Sequence, residues 1–346
     1  MSSLRPLQPT RTLPLLFEPD RDADVETLVA RLAAEADDVQ DALGRAGALL
    51  FRGWDLADAH AFERVARAID PELKNEYLGT SPRNALTSHV FTASELPPYF
   101  PIPQHCEMSF TRSPPRRLFF ACFTPNAAPG GETPLVDVRA VWRDLDPAVR
   151  ARFEARGVTN IRNYAGPDGA GWWDPWKLKR WDEMFATTDR DVVTKRCAEE
   201  GFTATWSGKG GLRLVNTQPA MKVHPATGEV AWFNHSQVFH LDAVPAEYAR
   251  IATRLGPTWH VYAWLSRVLL ALTRLTQTED EAAMHCTYGD GSPIPASDME
   301  AVREAFWKNL VAFPWQRGDV FAIDNDCVAH GRMPFAGPRM IAVAWA

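Results

Sequence analysis

The chain has 346 residues, 46% hydrophobic and 23% charged, the balance of a globular protein long enough to bury a sizeable core. Its formal net charge of −6 argues against general nucleic-acid binding, for which a basic balance is the rule. The five cysteines (Cys106, Cys122, Cys197, Cys286 and Cys327) are scattered with no CxxC, which argues against a disulfide framework or a cysteine zinc site and fits a reducing cytoplasm.

In chain order, residues 1–23 are punctuated by proline and read as an extended lead-in, with no apolar run of the signal-peptide kind. Residues 24–46 carry apolar positions at helical spacing with acids near the start and predict a helix. GALLFRGW predicts a buried strand and residues 57–69 a second helix. Residues 70–103 read as a long ordered loop with short strands, a length that is more often functional than not in a compact domain. IPQHCEMSF and RRLFFACF (116–123) predict strands, followed by the turn NAAPGGET, the short strand TPLVDV and a helix over 138–147. Residues 165–212, rich in tryptophan at GWWDPWKLKRW, read as an insertion with a helix at 188–200. GEVAWFN predicts a strand, and helices are expected at 246–255, 259–275 and 296–309. The most apolar run, Val261 to Leu272, contains Ser266 and Arg267 and is too short to span a bilayer, so it reads as a packed helix and no membrane association is expected. The tail alternates through DVFAIDN, CVAHGR and RMIAVAWA. The expected fold is mainly β, a sandwich or barrel in one domain over 1–346, with helical or irregular insertions at about 165–212 and 246–310.

His105 and Glu107 stand two residues apart. On a strand such positions share a face, so both can touch one cation while Cys106 faces away. His330, in VAHGR, can supply a third ligand. Two histidines and one carboxylate leave coordination positions open, the arrangement of non-haem Fe(II) oxygenases. Alone, H-x-E is a weak motif, because a lone histidine is more often structural. His224, His235, His240, His260 and His285 have no ligand-like spacing and read as structural. Arg83, in SPR, is a candidate for a substrate carboxylate or phosphate, against the plainer role of tying down loop carbonyls. Asn234, after a predicted strand, is a candidate pocket residue or a turn residue. Trp172, Trp173, Trp176 and Trp181 form either a lid or, the favoured reading, a hydrophobic anchor for the insertion.

The ordered set His105-x-Glu107, Gly130-Gly131-Glu132-Thr133, His330 and Arg339 resembles the taurine dioxygenase/clavaminate synthase-like superfamily, and within it the syringomycin aspartyl hydroxylase-like branch. TSPRNALTS, TYGDGSPI, WQRGDV and HGRMPFAGPR are similar as well, so the resemblance is collinear from about residue 50 to the C-terminus. It implies a double-stranded β-helix (jelly-roll) core, Fe(II), and 2-oxoglutarate and O2 as co-substrates. His105, Glu107 and His330 match the iron ligands, and Thr133 and Arg339 the pair that holds the distal carboxylate of 2-oxoglutarate. The residue types suit that role, since arginine offers a planar, permanently charged fork and threonine a hydroxyl donor beside it. Two departures refine the expectation. In taurine dioxygenase a second arginine, four residues after the first, binds the sulfonate; here Val343 stands there, which disfavours a sulfonate held that way. Related halogenases replace the metal carboxylate by a small residue; Glu107 is present, which favours hydroxylation over halogenation.

The resemblance implies oxidation of an unactivated C–H bond of an amino acid or amino-acid-derived small molecule, free or tethered to a carrier protein, in specialised metabolite biosynthesis. Hydroxylation is the default outcome, with desaturation or cyclisation as alternatives. A metal-dependent hydrolase and a non-catalytic jelly-roll binding protein are the competing classes; the first leaves Thr133 and Arg339 unexplained, and an intact triad argues against the second. The oligomeric state is open.

Overall fold

The computed structural model describes residues 4–76, 83–167, 169, 179–208 and 210–346. Its organising strand is Arg117–Thr124, whose sequence RLFFACFT carries two apolar sets in alternation. Phe119 and Ala121 point to one face, where they join Phe62, Val65, Leu28 and Leu43 in a common cluster. Leu118, Phe120 and Cys122 point to the other, against Leu135, Val311 and Val328. A strand covered on both faces reads as a continuous apolar run, which makes it legible in the sequence.

Seven strands form the larger sheet, in the order Arg5–Pro6, Leu15–Phe17, Ala48–Phe51, Val320–Asp324, Arg117–Thr124, Met340–Trp345 and Phe91–Thr92. Facing it is a four-stranded sheet ordered Leu310–Val311, Leu135–Asp137, Val328–Arg332 and Ile102–His105. The two sheets share the apolar layer around Phe120 and Val328, and together they form the jelly-roll core. The outer face of the larger sheet is covered by helices. In Ala59–Ile69, Phe62, Val65, Ala66 and Ile69 fall on one stripe, and the Asp58 carboxylate caps the start by accepting from the Ala61 N–H. Burying side chains of the Phe62, Val65 and Ile69 type contributes about 1.5–3 kcal/mol each.

Four expectations are corrected. The predicted helix over 24–46 is two helices, Val25–Ala34 and Ala36–Ala46, broken at Glu35. The strand expected over IPQHCEMSF ends at His105. The 165–212 stretch, expected as helical or irregular, has its helix at Arg190–Glu199 but also carries strand: Thr203–Trp206, with Leu212–Gln218, Val158–Tyr164 and Met284–Tyr288, forms a further four-stranded sheet. Finally, the helix Thr258–Thr276 is not packed all round, and Ala263 is its sole buried residue. Trp172, Trp173 and Trp176 lie outside the described residues. Trp181 is buried, donates its indole N–H to Gly210 O and packs edge-on against Trp206, which is the anchoring role. Among the described residues no helix is long and apolar enough to cross a membrane.

Candidate metal centre

Sheet register brings the two histidines together. His330 on Val328–Arg332 is directly opposite His105 on Ile102–His105. Opposed residues in antiparallel strands hold their Cβ atoms about 4.5–5.5 Å apart, and the two rings lie 4.6 Å centroid to centroid. Glu107 is not on the strand. It sits in the turn just past it, where Met108 takes a left-handed φ of +49° that a non-glycine residue adopts only under constraint. The turn swings the carboxylate back, so that Glu107 Oε2 lies 3.8 Å from His330 Nε2. One potential ligand atom from each of His105, Glu107 and His330 lies within 4.8 Å of the other two.

Local contacts set the imidazoles for a cation. His105 Nδ1 is 2.8 Å from Pro103 O. A carbonyl only accepts, so Nδ1 carries the proton and Nε2 keeps its lone pair. Burial first, then the nearby His105 ring and the Arg83 guanidinium, holds His330 well below the ordinary histidine range, so it is neutral. Two imidazole nitrogens with one carboxylate fit a divalent iron and leave part of its coordination sphere open.

Asn325 holds the turn, and nothing in the sequence marks it. It is fully buried. Its Oδ1 accepts from the Glu107 N–H at 2.6 Å, while Nδ2 donates to Glu107 O at 2.9 Å and Pro115 O at 2.8 Å. One side-chain amide thus clamps the Glu107 backbone at both its N–H and its carbonyl. The neighbours of Asn325 are anchored in turn: Asp324 pairs with Arg117 at 2.8 Å and His224 at 3.2 Å, and Asp326 with Lys222 at 2.6 Å. His224, Asp324 and Cys327 also cluster closely enough to hold an ion. Asp324 is already neutralised by Arg117, so that cluster is a structural tie.

The end of the site at Thr133 and Arg339 is built by a turn. Gly130 and Gly131 both have φ in the left-handed region, and a Cβ on Gly130 would lie 2.3 Å from Pro334 O. This turn aims Gly131 O at Arg339, whose Nε donates to it at 2.7 Å, and Arg339 Nη2 lies 3.4 Å from Thr133 Oγ1. The indole N–H of Trp315 also donates to Thr133 Oγ1, at 3.2 Å. With two donors on its oxygen, the Thr133 hydroxyl has its own proton to offer outward. Burial pulls Arg339 down to about 9, and among the described residues it forms no ion pair. A buried cation in that state calls for an anion, and a carboxylate fits its fork.

A single cavity is lined by His105, His330, Thr133, Arg339 and Arg83. Arg83 adjoins the metal set, with Nη2 donating to Glu107 Oε2 at 2.9 Å and its guanidinium over the Trp345 ring. Asn234 is not brought to this cavity. Its amide donates to Ala220 O and accepts from the N–H and hydroxyl of Ser236, an Asx-type turn at the start of Ser236–Phe239. Its neighbour His235, read as structural, packs 5.3 Å from the His105 ring and bonds Ser109 at 2.6 Å. Burial and the proximity of His105 keep His235 neutral. Val343, four residues past Arg339, is buried in the layer between the two main sheets.

Comparison with known proteins agrees with this architecture. Residues 3–345 match the family described as taurine catabolism dioxygenase TauD, TfdA family. The chain is 30% identical over 310 residues to a clavaminate synthase-like protein of Arabidopsis thaliana, covering 86% of this chain and 81% of that one. It is 28% identical over 308 residues to the dapdiamide synthesis protein DdaC of Enterobacter agglomerans, covering 88% and 84%. Among solved structures, PvcB of Pseudomonas aeruginosa, an Fe, alpha-ketoglutarate dependent oxygenase, superposes with a TM-score of 0.52 at 15% identity, over 99% of this chain and 90% of PvcB. The chain belongs to the TauD/TfdA family and is a non-haem iron, 2-oxoglutarate-dependent dioxygenase.

Proposed function

We propose that His105, Glu107 and His330 bind Fe(II), that Thr133 and Arg339 bind the distal carboxylate of 2-oxoglutarate, and that the enzyme oxidises an unactivated C–H bond of an amino acid or amino-acid-derived small molecule, by hydroxylation as the default outcome. The observation that carries this reading is the one cavity that runs from the two histidines to an arginine with no ion-pair partner among the described residues. Bound there, Fe(II) with 2-oxoglutarate and O2 supplies C–H oxidation, coupled to loss of CO2 and release of succinate. The protein supplies position, charge and dryness. Asn325 fixes the Glu107 backbone, Pro103 O fixes the His105 tautomer, and Trp315 orients the Thr133 hydroxyl. Phe120, 5.0 Å from the His330 ring, closes the apolar side.

The substrate class draws support from DdaC, whose name ties it to dapdiamide synthesis. Arg83 lines the metal side of the cavity while paired with Glu107, which supports a reading in which its guanidinium also meets an amino-acid carboxylate. Asn234, spent on Ala220 and Ser236, takes no part in this reading. Reconstitution without oxygen should give a weak visible charge-transfer band on adding Fe(II) and 2-oxoglutarate. Its absence in metal-replete protein would overturn the co-substrate assignment. A screen for succinate release, with free amino acids in one arm and carrier-bound aminoacyl groups in the other, then identifies the substrate and tells the two forms apart. Succinate formation that no amino-acid derivative stimulates would refute the substrate class.

A further inference from the structure

Thr258–Thr276 is a nineteen-residue helix, about 28 Å long, with Ala263 as its one buried residue. It carries six of the ten most exposed large apolar side chains among the described residues: Val261, Trp264, Leu265, Val268, Leu272 and Leu275. Trp264 is 60% and Leu275 82% exposed. Tyr99, half exposed, extends the patch, with its ring 6.3 Å from that of Tyr262 on the same helix. Seven exposed large apolar side chains on one helix and its neighbour go beyond the single scattered exposures normal on a monomer, and an interaction surface is the usual reason for such a face.

We propose that this face pairs two copies of the chain, helix against antiparallel helix, about a two-fold axis at Val268. Such an interface must be complementary to itself, because each contact occurs twice. The stripe meets that requirement. Around Val268 its members lie three, four and seven residues away on both sides, the spacing of a helix–helix seam. Antiparallel pairing sets Val261 against Leu275, Trp264 against Leu272, and Leu265 against Ala271.

The charges agree. The helix contains no carboxylate, and its exposed arginines, Arg267 and Arg274, fall opposite Leu269 and Tyr262, not opposite each other. Just beyond its C-terminal end lie Glu279, Asp280 and Glu281. In the pair they stand beside the other copy's helix start, which has no side-chain cap. Negative charge at a positive helix end is favourable. A bilayer is a poorer occupant, because the chain has a net charge of −6 and the helix offers few cations to lipid headgroups.

The test uses the full chain and does not depend on the metal assignment. Light scattering at tens of micromolar should give twice the chain mass. The double variant Val268→Glu/Leu272→Glu should be monomeric with an unchanged far-UV spectrum, since both positions are exposed. Val268→Cys, on the axis, should form a disulfide-linked dimer under mild oxidation, whereas His260→Cys, at the far end, should not. The five native cysteines are all buried and do not compete. A monomeric wild-type chain would overturn the proposal, as would a dimer that survives the double variant. So would a chain that stays monomeric and floats with phosphatidylcholine/phosphatidylglycerol vesicles.

Discussion

Asn325→Ala removes three hydrogen bonds at once, those to the Glu107 N–H, to Glu107 O and to Pro115 O. The residue is fully buried, so water does not readily replace them. At a net 0.5–1.5 kcal/mol per bond, the loss of stability should be about 3 kcal/mol, a large share of the 5–15 kcal/mol that holds a domain together. The same change frees the turn at Met108 that aims the Glu107 carboxylate, and loss of such a supporting contact typically costs 10–100-fold in metal affinity. Urea unfolding of the apo-protein reads the first effect. Calorimetric titration with Co(II) or anaerobic Fe(II) reads the second, without turnover. Asn325→Asp keeps the shape but sets a carboxylate against two carbonyls, so it should be no better. If Asn325→Ala unfolds within 0.5 kcal/mol of wild type and binds metal within two-fold, the clamp has no role in placing Glu107.

Arg339→Met should weaken 2-oxoglutarate by about 2–5 kcal/mol, at least thirty-fold, because a buried carboxylate loses its charged partner. Metal affinity should hold within a few-fold, so titrating the charge-transfer band with 2-oxoglutarate separates the two, and an equal loss of both would refute the division of labour. Burial raises Glu247 above its ordinary 4.5, offset in part by donors from Trp307 and Gln104. A carboxyl raised on folding contributes stability that is complete below the unfolded value and is lost as pH climbs through the folded one. Wild type should therefore lose stability relative to Glu247→Gln as pH rises from about 4.5; a constant difference in urea midpoint between pH 5 and 8 would show that Glu247 does not titrate in this way. A metal at a hundred times its dissociation constant should stabilise the fold by about 2.7 kcal/mol. An unchanged melting temperature with Co(II) would count against the trio as ligands, as would one equally raised in His330→Ala.

The two main sheets are legible in the sequence because their strands are short apolar runs or strict alternations. The strand Arg117–Thr124 and the tail Met340–Trp345 need no partner to be recognised. The sheet that includes Leu212–Gln218 escapes such a reading, although LRLVNTQ does alternate, because its setting among tryptophans and glycines looks irregular. The break at Glu35 carries no glycine or proline, and the apolar period runs on across it. Of the site, the ligand types are visible, but the direct pairing of His105 with His330 is non-local and no local pattern encodes it. Asn325 and Trp315 act on a backbone amide and a hydroxyl, so neither belongs to any ligand motif. In Thr258–Thr276, apolarity suggests packing, but hydrophobicity does not say whether the covering surface belongs to the same chain.

That cross-strand pair also sets when a centre can exist at all. His105 and His330 are separated by most of the chain, and they meet only when the strand Val328–Arg332 has been inserted between Leu135–Asp137 and Ile102–His105. Until then a growing chain holds at most the His105–Glu107 half, too few donors to retain a loosely held divalent ion. With the proposed ligand set, loading would thus be deferred to completed sheets. A bound ion would then act as a clasp on a very long loop, and losing it should loosen the strand edges at His105 before the distant helical layer.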